Sequence, residues 1–248
     1  IVAGRPGMGK TALALSMGRN AAVMDQVGVG MFSLEMANHQ LAMRLLCAEG
    51  RVDSHLVRTG KLPKSQMKNL SIASGNLAEA PIYLDDTAGM SVLEVRAKAR
   101  RLKAEKDIGL IIVDYLQLMT GPKGVESRQQ EISHISRSLK NLAKEIEVPV
   151  VALSQLSRAV ESRTDRRPQL SDLRESGAIE QDADVVMFLY RPWIYSQEDE
   201  DKGKAQVMVA KQRNGPTGNI NVTFIDRFAR FENSARISEP EAESAFNG

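Results

Sequence analysis

Gly4-Arg5-Pro6-Gly7-Met8-Gly9-Lys10-Thr11 stands between an apolar run, Ile1-Val2-Ala3, and Ala12-Leu13-Ala14-Leu15. The stretch satisfies G-x-x-x-x-G-K-[ST] in full. A strand end, a glycine-rich turn and a helix start, in that order, are what the pattern requires. Glycines let backbone N–H groups turn inward around phosphate oxygens. A helix beginning beside them adds its positive end. Lys10 supplies a mobile cation for β- and γ-phosphates, and the Thr11 hydroxyl can ligate Mg2+. Gly4, Arg5, Pro6, Gly7, Met8, Gly9, Lys10 and Thr11 are therefore the candidate nucleotide-binding residues.

Outward from this loop, strand and helix alternate. Apolar spacing predicts a helix over 10–24, a strand over 29–33, helices over 38–49 and 65–76, and a short strand over 82–84. Ser91 with Glu94 three residues on forms a capping box. The helix it opens turns Arg96, Lys98, Arg100, Arg101 and Lys103 outward. Leu110-Ile111-Ile112-Val113-Asp114 is a continuous apolar run ending in an acid, as in strands buried on both faces of a parallel sheet. A loop over 120–124 leads into a long helix with the stripe Ile132, Ile135, Leu139, Leu142 and Ile146. Strands over 149–153 and 184–190 follow. Runs over 206–210 and 219–225 flank Asn214-Gly215-Pro216 and read as a hairpin. The fold class is α/β: a mainly parallel twisted sheet, helices on both faces, and a C-terminal antiparallel hairpin extending one end. One domain is expected over 1–234 and a mobile tail over 235–248. The opening at Ile1 reads as the clipped end of a strand, from a longer polypeptide.

The chain has 248 residues, 42% hydrophobic and 26% charged, which excludes disordered, collagen-like and rod-like classes. No apolar run reaches the roughly 18 to 20 residues of a membrane span. No charged-then-apolar leader opens the sequence, so a cytoplasmic location, in a bacterial cytoplasm or nucleoid, is expected. Cys47 is the only cysteine. It can form neither an internal disulfide nor a zinc cage, and its apolar neighbours predict a buried thiol. His39, His55 and His134 show no metal-ligand spacing. The net charge of +2 excludes a uniformly basic coat for nucleic acid.

Other candidates sit at predicted strand ends, where open parallel sheets bind ligands. Asp114 can hold Mg2+, directly or through water. Glu35 closes Phe32-Ser33-Leu34-Glu35; it either orients an attacking water or serves as a helix-start acid. Gln155 either touches the γ-phosphate or is a plain loop residue. Between 158 and 174 stand Arg158, Arg163, Arg166, Arg167 and Arg174, on a loop long enough to call for a function. They suit phosphate contacts or simply a solvated, mixed-charge surface. Lys211 and Arg213 lie near a hairpin tip, either reaching a neighbouring molecule or forming an ordinary basic turn. Trp193 reads as a packing residue.

Together these segments resemble the ATPase domain of the replicative DNA helicases of the bacterial DnaB type. Gly-Arg-Pro-Gly-Met-Gly-Lys-Thr over 4–11 looks like that family's phosphate loop, with Gly7 where serine is frequent. Phe32-Ser-Leu-Glu35-Met resembles its water-activating motif, and Ile112-Val-Asp114-Tyr-Leu-Gln-Leu118 its magnesium strand. Ser154-Gln155-Leu-Ser-Arg158 and Asp172-Leu-Arg174-Glu175-Ser-Gly177, running on to Asp184, resemble the segment linking ATP to DNA. Lys211-Gln-Arg213-Asn-Gly215 looks like its trans-acting finger. The likeness covers residues 1–231, with the motifs in family order. It implies a RecA-like core in a homohexameric ring, with ATP and Mg2+ between subunits and single-stranded DNA in the channel. It implies Lys10, Glu35, Gln155, Lys211 and Arg213 as catalytic residues, and Thr11 and Asp114 as magnesium ligands. DNA contacts would come from Lys123, Arg158, Arg174, Glu175 and Gly177, on loops over 121–127 and 155–177. A primase and a helicase loader are the implied protein partners. The family's amino-terminal domain and linker helix are read as absent from the sequence.

Two rivals share parts of this pattern: a RecA-type recombinase filament and a non-motor, ATP-dependent assembly module. Residues 114–248, which hold the DNA loops, carry 18 basic and 21 acidic side chains. Binding must therefore rest on placed charges. No aromatic residue lies between Leu116 and Phe188. Base-stacking platforms are thus not expected there, and binding should follow the phosphate backbone and weaken with salt.

Overall fold

The computed structural model describes residues 1–121, 124–125, 127–173 and 177–234. Lys123, Arg174, Glu175 and the expected tail over 235–248 lie outside the described residues. The strands are β1 Val2–Gly4, β2 Gly28–Ser33, β3 Ile82–Asp85, β4 Ile108–Asp114, β5 Val150–Gln155, β6 Val185–Tyr190, β7 Lys204–Gln212, β8 Gly218–Ile225 and β9 Arg230–Asn233. The helices are α1 Lys10–Arg19, α2 Asn38–Gly50, α3 Ser54–Arg58, α4 Lys64–Glu79, α5 Val92–Lys106, α6 Arg128–Glu145, α7 Gly177–Asp182 and α8 Trp193–Ser196. One sheet orders the strands β3-β2-β4-β5-β1-β6-β7-β8-β9. β1 to β6 run parallel, and β7, β8 and β9 continue antiparallel.

Both faces of the parallel part are covered. Successive residues of a strand point to opposite faces. Met31 and Ile112 accordingly join Leu13, Leu15, Leu41 and Leu45 of α1 and α2. Phe32, Ile111 and Val113 join Val95, Ala99, Ile132, Ile135 and Leu139 of α5 and α6. Such two-sided burial is why β4 reads as an unbroken apolar run. The capping box at Ser91 forms as expected, with Ser91 and Glu94 bonding each other's backbone N–H. Cys47 is buried.

Four details differ from expectation. The helix predicted over 10–24 is α-helical only to Arg19 and continues as a π-helical turn, Asn20–Met24. α3 was not anticipated; Asp53 caps it by accepting from the N–H groups of His55 and Leu56. The basic face of α5 is largely neutralised: Arg96 and Arg100 pair with Glu145 of α6, Lys98 with Asp85, and Lys103 with Asp107. The antiparallel extension has three strands, because β9 adds to β8. Phe231 is the large apolar residue of β9, and periodicity needs more than one. It is buried against the α1 layer, and its N–H donates to Ser16 Oγ at 3.2 Å.

Candidate functional site

The sheet register aligns the candidate residues along one edge. Gly4 pairs with Gln155 across β1 and β5, and Ser33 pairs with Asp114 across β2 and β4. β5 lies between β1 and β4. At roughly 4.8 Å per strand, the phosphate loop and Asp114 are about 10 Å apart across the sheet. The first turn of α1 spans that gap: Thr11 Oγ1 donates to Asp114 Oδ2 at 2.6 Å.

The loop over 4–9 has the backbone its sequence calls for. Gly7 and Gly9 take φ of 80° and 93°, which L side chains rarely adopt. A Cβ at Gly9 would also sit 3.2 Å from the Phe231 ring. Lys10 Nζ folds over the loop and donates to the Arg5 carbonyl at 3.4 Å. Burial lowers the Lys10 pKa, opposed by Asp114 and Glu35.

Asp114 is 1% exposed, and its Oδ1 is buried without a hydrogen-bond partner. Burial raises its pKa, while the Thr11 hydroxyl pulls it down and Glu35 adds to the rise. An orphaned carboxylate oxygen beside a hydroxyl is the hard oxygen donor set that Mg2+ takes alongside phosphates. The residues present fit that ion.

Leu34 N donates to the Asp114 carbonyl at 2.7 Å, which seats the turn after β2 against the end of β4. Glu35 lies exposed on that turn, close enough for its charge to act on Lys10, Asp114 and Tyr115. Gln155 sits beside Gly4. Its N–H is held by Gln117 Oε1 at 3.1 Å, while Gln117 Nε2 donates to Ser154 Oγ at 2.9 Å and to the Gln155 carbonyl at 3.3 Å. Lys10, Thr11, Asp114, Glu35 and Gln155 thus converge.

The side chain of Arg5 does not join them. Its Nε pairs with Glu161 at 2.9 Å and its Nη1 donates to the Leu156 carbonyl at 2.9 Å. Arg5 therefore serves the loop through its backbone and braces the start of the arginine-rich segment. Arg191 is a residue that sequence reasoning passed over. It is 4% exposed, donates to the Gly7 carbonyl at 3.2 Å, pairs with Asp226 at 2.8 Å and lies over the Phe224 ring. Its signal was a cation placed directly after an apolar strand.

The arginine-rich loop is less free than expected. Arg163 makes two bonds to Asp172, Arg166 lies over Tyr195, and Arg167 lies over Tyr190 and donates to Gln206. Arg158 stays exposed at the start of a 3-10 turn, and Gly177 begins α7. Lys211 and Arg213 stand at the opposite end of the sheet from the phosphate loop. Val185, at the start of β6, pairs with Gln212, whereas Ala3 pairs with Phe188. Gly4 is one residue further along, so the cations are about 13 Å away along the strands. Topology keeps them from the loop over 4–9 of their own chain.

Residues 1–233 match the model of the family described as DnaB-like helicase C terminal domain. The chain is 53% identical over 237 residues to "Replicative DNA helicase DnaB" of Geobacillus stearothermophilus, covering 95% of this chain and 52% of that protein. It is 51% identical to "Replicative DNA helicase DnaC" of Bacillus subtilis, with the same two shares. The chain spans about half the length of the curated relatives it matches. Two solved structures superpose with a TM-score of 0.90 at 41% identity over 94% of this chain. One, described as a DnaB-like replicative helicase and its interactions with primase, is covered over 57% of its length. The other, described as an ATPase domain, is covered over 84%. Among the described residues no helix is long and apolar enough to cross a membrane. With the phosphate loop, the orphaned Asp114 oxygen and Glu35 on one sheet edge, and with this breadth of match, the chain belongs to the DnaB-like helicase C-terminal domain family.

Proposed function

We propose that this chain is the ATP-driven motor part of a replicative DNA helicase, acting in the bacterial cytoplasm or nucleoid. The observation that carries the reading is the Thr11–Asp114 pair. It leaves one buried carboxylate oxygen unpartnered within electrostatic reach of Lys10 and Glu35. The loop over 4–9 holds the phosphates with its N–H groups, and Lys10 swings from the Arg5 carbonyl to the γ-phosphate. Thr11 and Asp114 would hold Mg2+, which when bound draws charge from the phosphate oxygens. Glu35 orients the attacking water and accepts its proton.

The transition state needs a cation that the chain cannot supply to itself. Lys211 and Arg213 of a neighbouring subunit fill that role, which implies a homohexameric ring with sites between subunits. Gln155 reports the nucleotide state. It shares a strand end with the loop that follows, and Ser157 N donates to the Asp172 carbonyl at 2.9 Å, closing that loop on itself. Single-stranded DNA is held along its backbone: Arg158, Lys123 and Arg174 meet its phosphates with their cations, and Glu175 and Gly177 contact it through main-chain N–H groups. Primase and a loader dock on the assembled ring; the solved relative with primase supports the first of these.

Subunit mixing tests the reading. Arg213→Ala alone should bind nucleotide but lose turnover by on the order of 10³-fold or more. Rings mixed from Arg213→Ala and Lys10→Ala subunits should regain part of it, since one contributes an intact site and the other an intact finger. No recovery in rings shown by mass to be mixed overturns the trans role.

A further inference from the structure

Lys211 and Arg213 are not idle in this structure. They are two residues apart near the end of a strand, so their side chains share one face. A bulge sets which face: Val186 pairs with Lys211 and Met187 with Val209, leaving Ala210 as an extra residue on β7. Bulges of this kind re-aim the side chains around them. Both cations meet the last turn of α7. Lys211 Nζ donates to the carbonyls of Glu180 and Gln181. Arg213 Nη2 donates to the Gln181 carbonyl at 2.6 Å. The Arg213 N–H also donates to the Asp184 carbonyl at 2.9 Å, and its Nε lies 3.5 Å from Asp184 Oδ1. Terminal carbonyls of a helix lack partners within it and carry its negative end, so two cations there are favourable.

We propose that the C-terminal turn of α7 and Asp184 form an internal dock for Lys211 and Arg213, competing with the neighbouring subunit's nucleotide for the same two cations. The inference rests on the trans role proposed above. α7 is a short helix anchored by Ile179, and residue 177, where it begins, closes the arginine-rich segment. When the cations leave, this turn of α7 loses its bonds to them. Nucleotide at one interface thereby loosens the helix that follows the DNA-contacting segment of the subunit lending the finger. Asp184 is a positioning residue. Its carboxylate is shared, accepting from Lys140 Nζ of α6 as well as facing Arg213.

That sharing gives the dock two handles with opposite signs. Asp184→Asn weakens the hold on Arg213. Lys140→Met removes the competitor for Asp184 and strengthens it. For exposed ion pairs of this kind, the KM for ATP without DNA should fall about two- to fivefold in the first variant and rise by a similar factor in the second. Hydrogen exchange supplies an independent readout: a non-hydrolysable ATP analogue should speed exchange of the α7 amides in wild-type rings. The effect should be smaller in Asp184→Asn, where the dock is already loose. If both variants match wild type in KM, or α7 exchange ignores the analogue, the dock is overturned. Should Asp184→Asn fail to fold, Lys140→Met and the exchange measurement decide. Normal turnover in Arg213→Ala would instead sink the trans role itself, so the two failures are distinguishable.

Discussion

The two halves of the sheet treat charge in opposite ways. On the parallel half, the strand-end edge leaves charge uncompensated: Asp114 keeps a buried oxygen without a partner, and Lys10 reaches only a carbonyl at 3.4 Å. On the antiparallel wing, cations stand against carboxylates. Arg191 meets Asp226 at 2.8 Å, Arg230 and Arg51 both meet Glu232, and Arg213 meets Asp184. A buried charge without a partner lowers stability, and a fold keeps one where a ligand will complete it. Charge on the wing is met by opposite charge, some of it from outside the wing, although Arg191 Nε and Glu232 Oε1 have no hydrogen-bond partner. The wing braces the loop through Arg191, Phe224 and Phe231.

The sharpest way to break this contrast is Lys10→Ala. It should reduce ATP turnover on the order of 10³-fold, as when a preorganised cation or donor is removed from a transition state. Its unfolding midpoint should hold or rise, because burial disfavours the lysine's charge in the folded chain. Wild-type-like hydrolysis, or a collapse of stability, would remove the contrast. Next comes Phe231→Ala on the wing. The ring is 6% exposed and packs against the Gly9 turn, so its loss should lower stability by about 3 kcal/mol in denaturant unfolding. Nucleotide affinity should fall with it. Unchanged affinity would show that the wing does not brace the loop.

A smaller effect on stability than that of Phe231→Ala should come from Asp114→Asn. An amide oxygen can still accept from Thr11, and the orphaned charge is gone. The midpoint should rise by about 2–4 °C, while turnover is lost. The sign with pH follows from the raised pKa. A carboxyl that holds its proton more tightly when folded loses stability as pH rises from its ordinary 3.8 through the folded value. The midpoint advantage of Asp114→Asn should therefore grow as pH rises from about 4 toward neutral. Mg2+ should raise the wild-type midpoint and leave the variant unchanged. An equal response in both would dissociate Asp114 from the ion.

The parallel half was the more legible of the two. Its strands announce themselves as apolar runs buried on both faces, and the phosphate loop carries its own pattern of glycines. β9 was not legible, because a strand with Phe231 as its only large apolar residue has no period to detect. Arg191 was hidden for a related reason. Nothing local distinguishes a cation that braces a carbonyl 184 residues away from one that faces water. The arginines of the 158–174 segment looked equivalent in sequence. Contacts with Asp172, Tyr190 and Tyr195 separate Arg163, Arg166 and Arg167 from Arg158, although Arg166 and Arg167 are exposed as Arg158 is.

Local pattern by itself determined that this chain is an α/β domain with a G-x-x-x-x-G-K-T loop at Gly4–Thr11 and acids at its strand ends. Those features depend on residues close in sequence, where spacing and backbone geometry act directly. Only the tertiary structure decided that Asp114 keeps an unpaired oxygen, that Arg5 turns away while Arg191 turns in, and that Lys211 and Arg213 rest on α7. Each of these outcomes depends on strand order and register, which bring residues together across the sheet, and on which of several partners reaches a buried charge first.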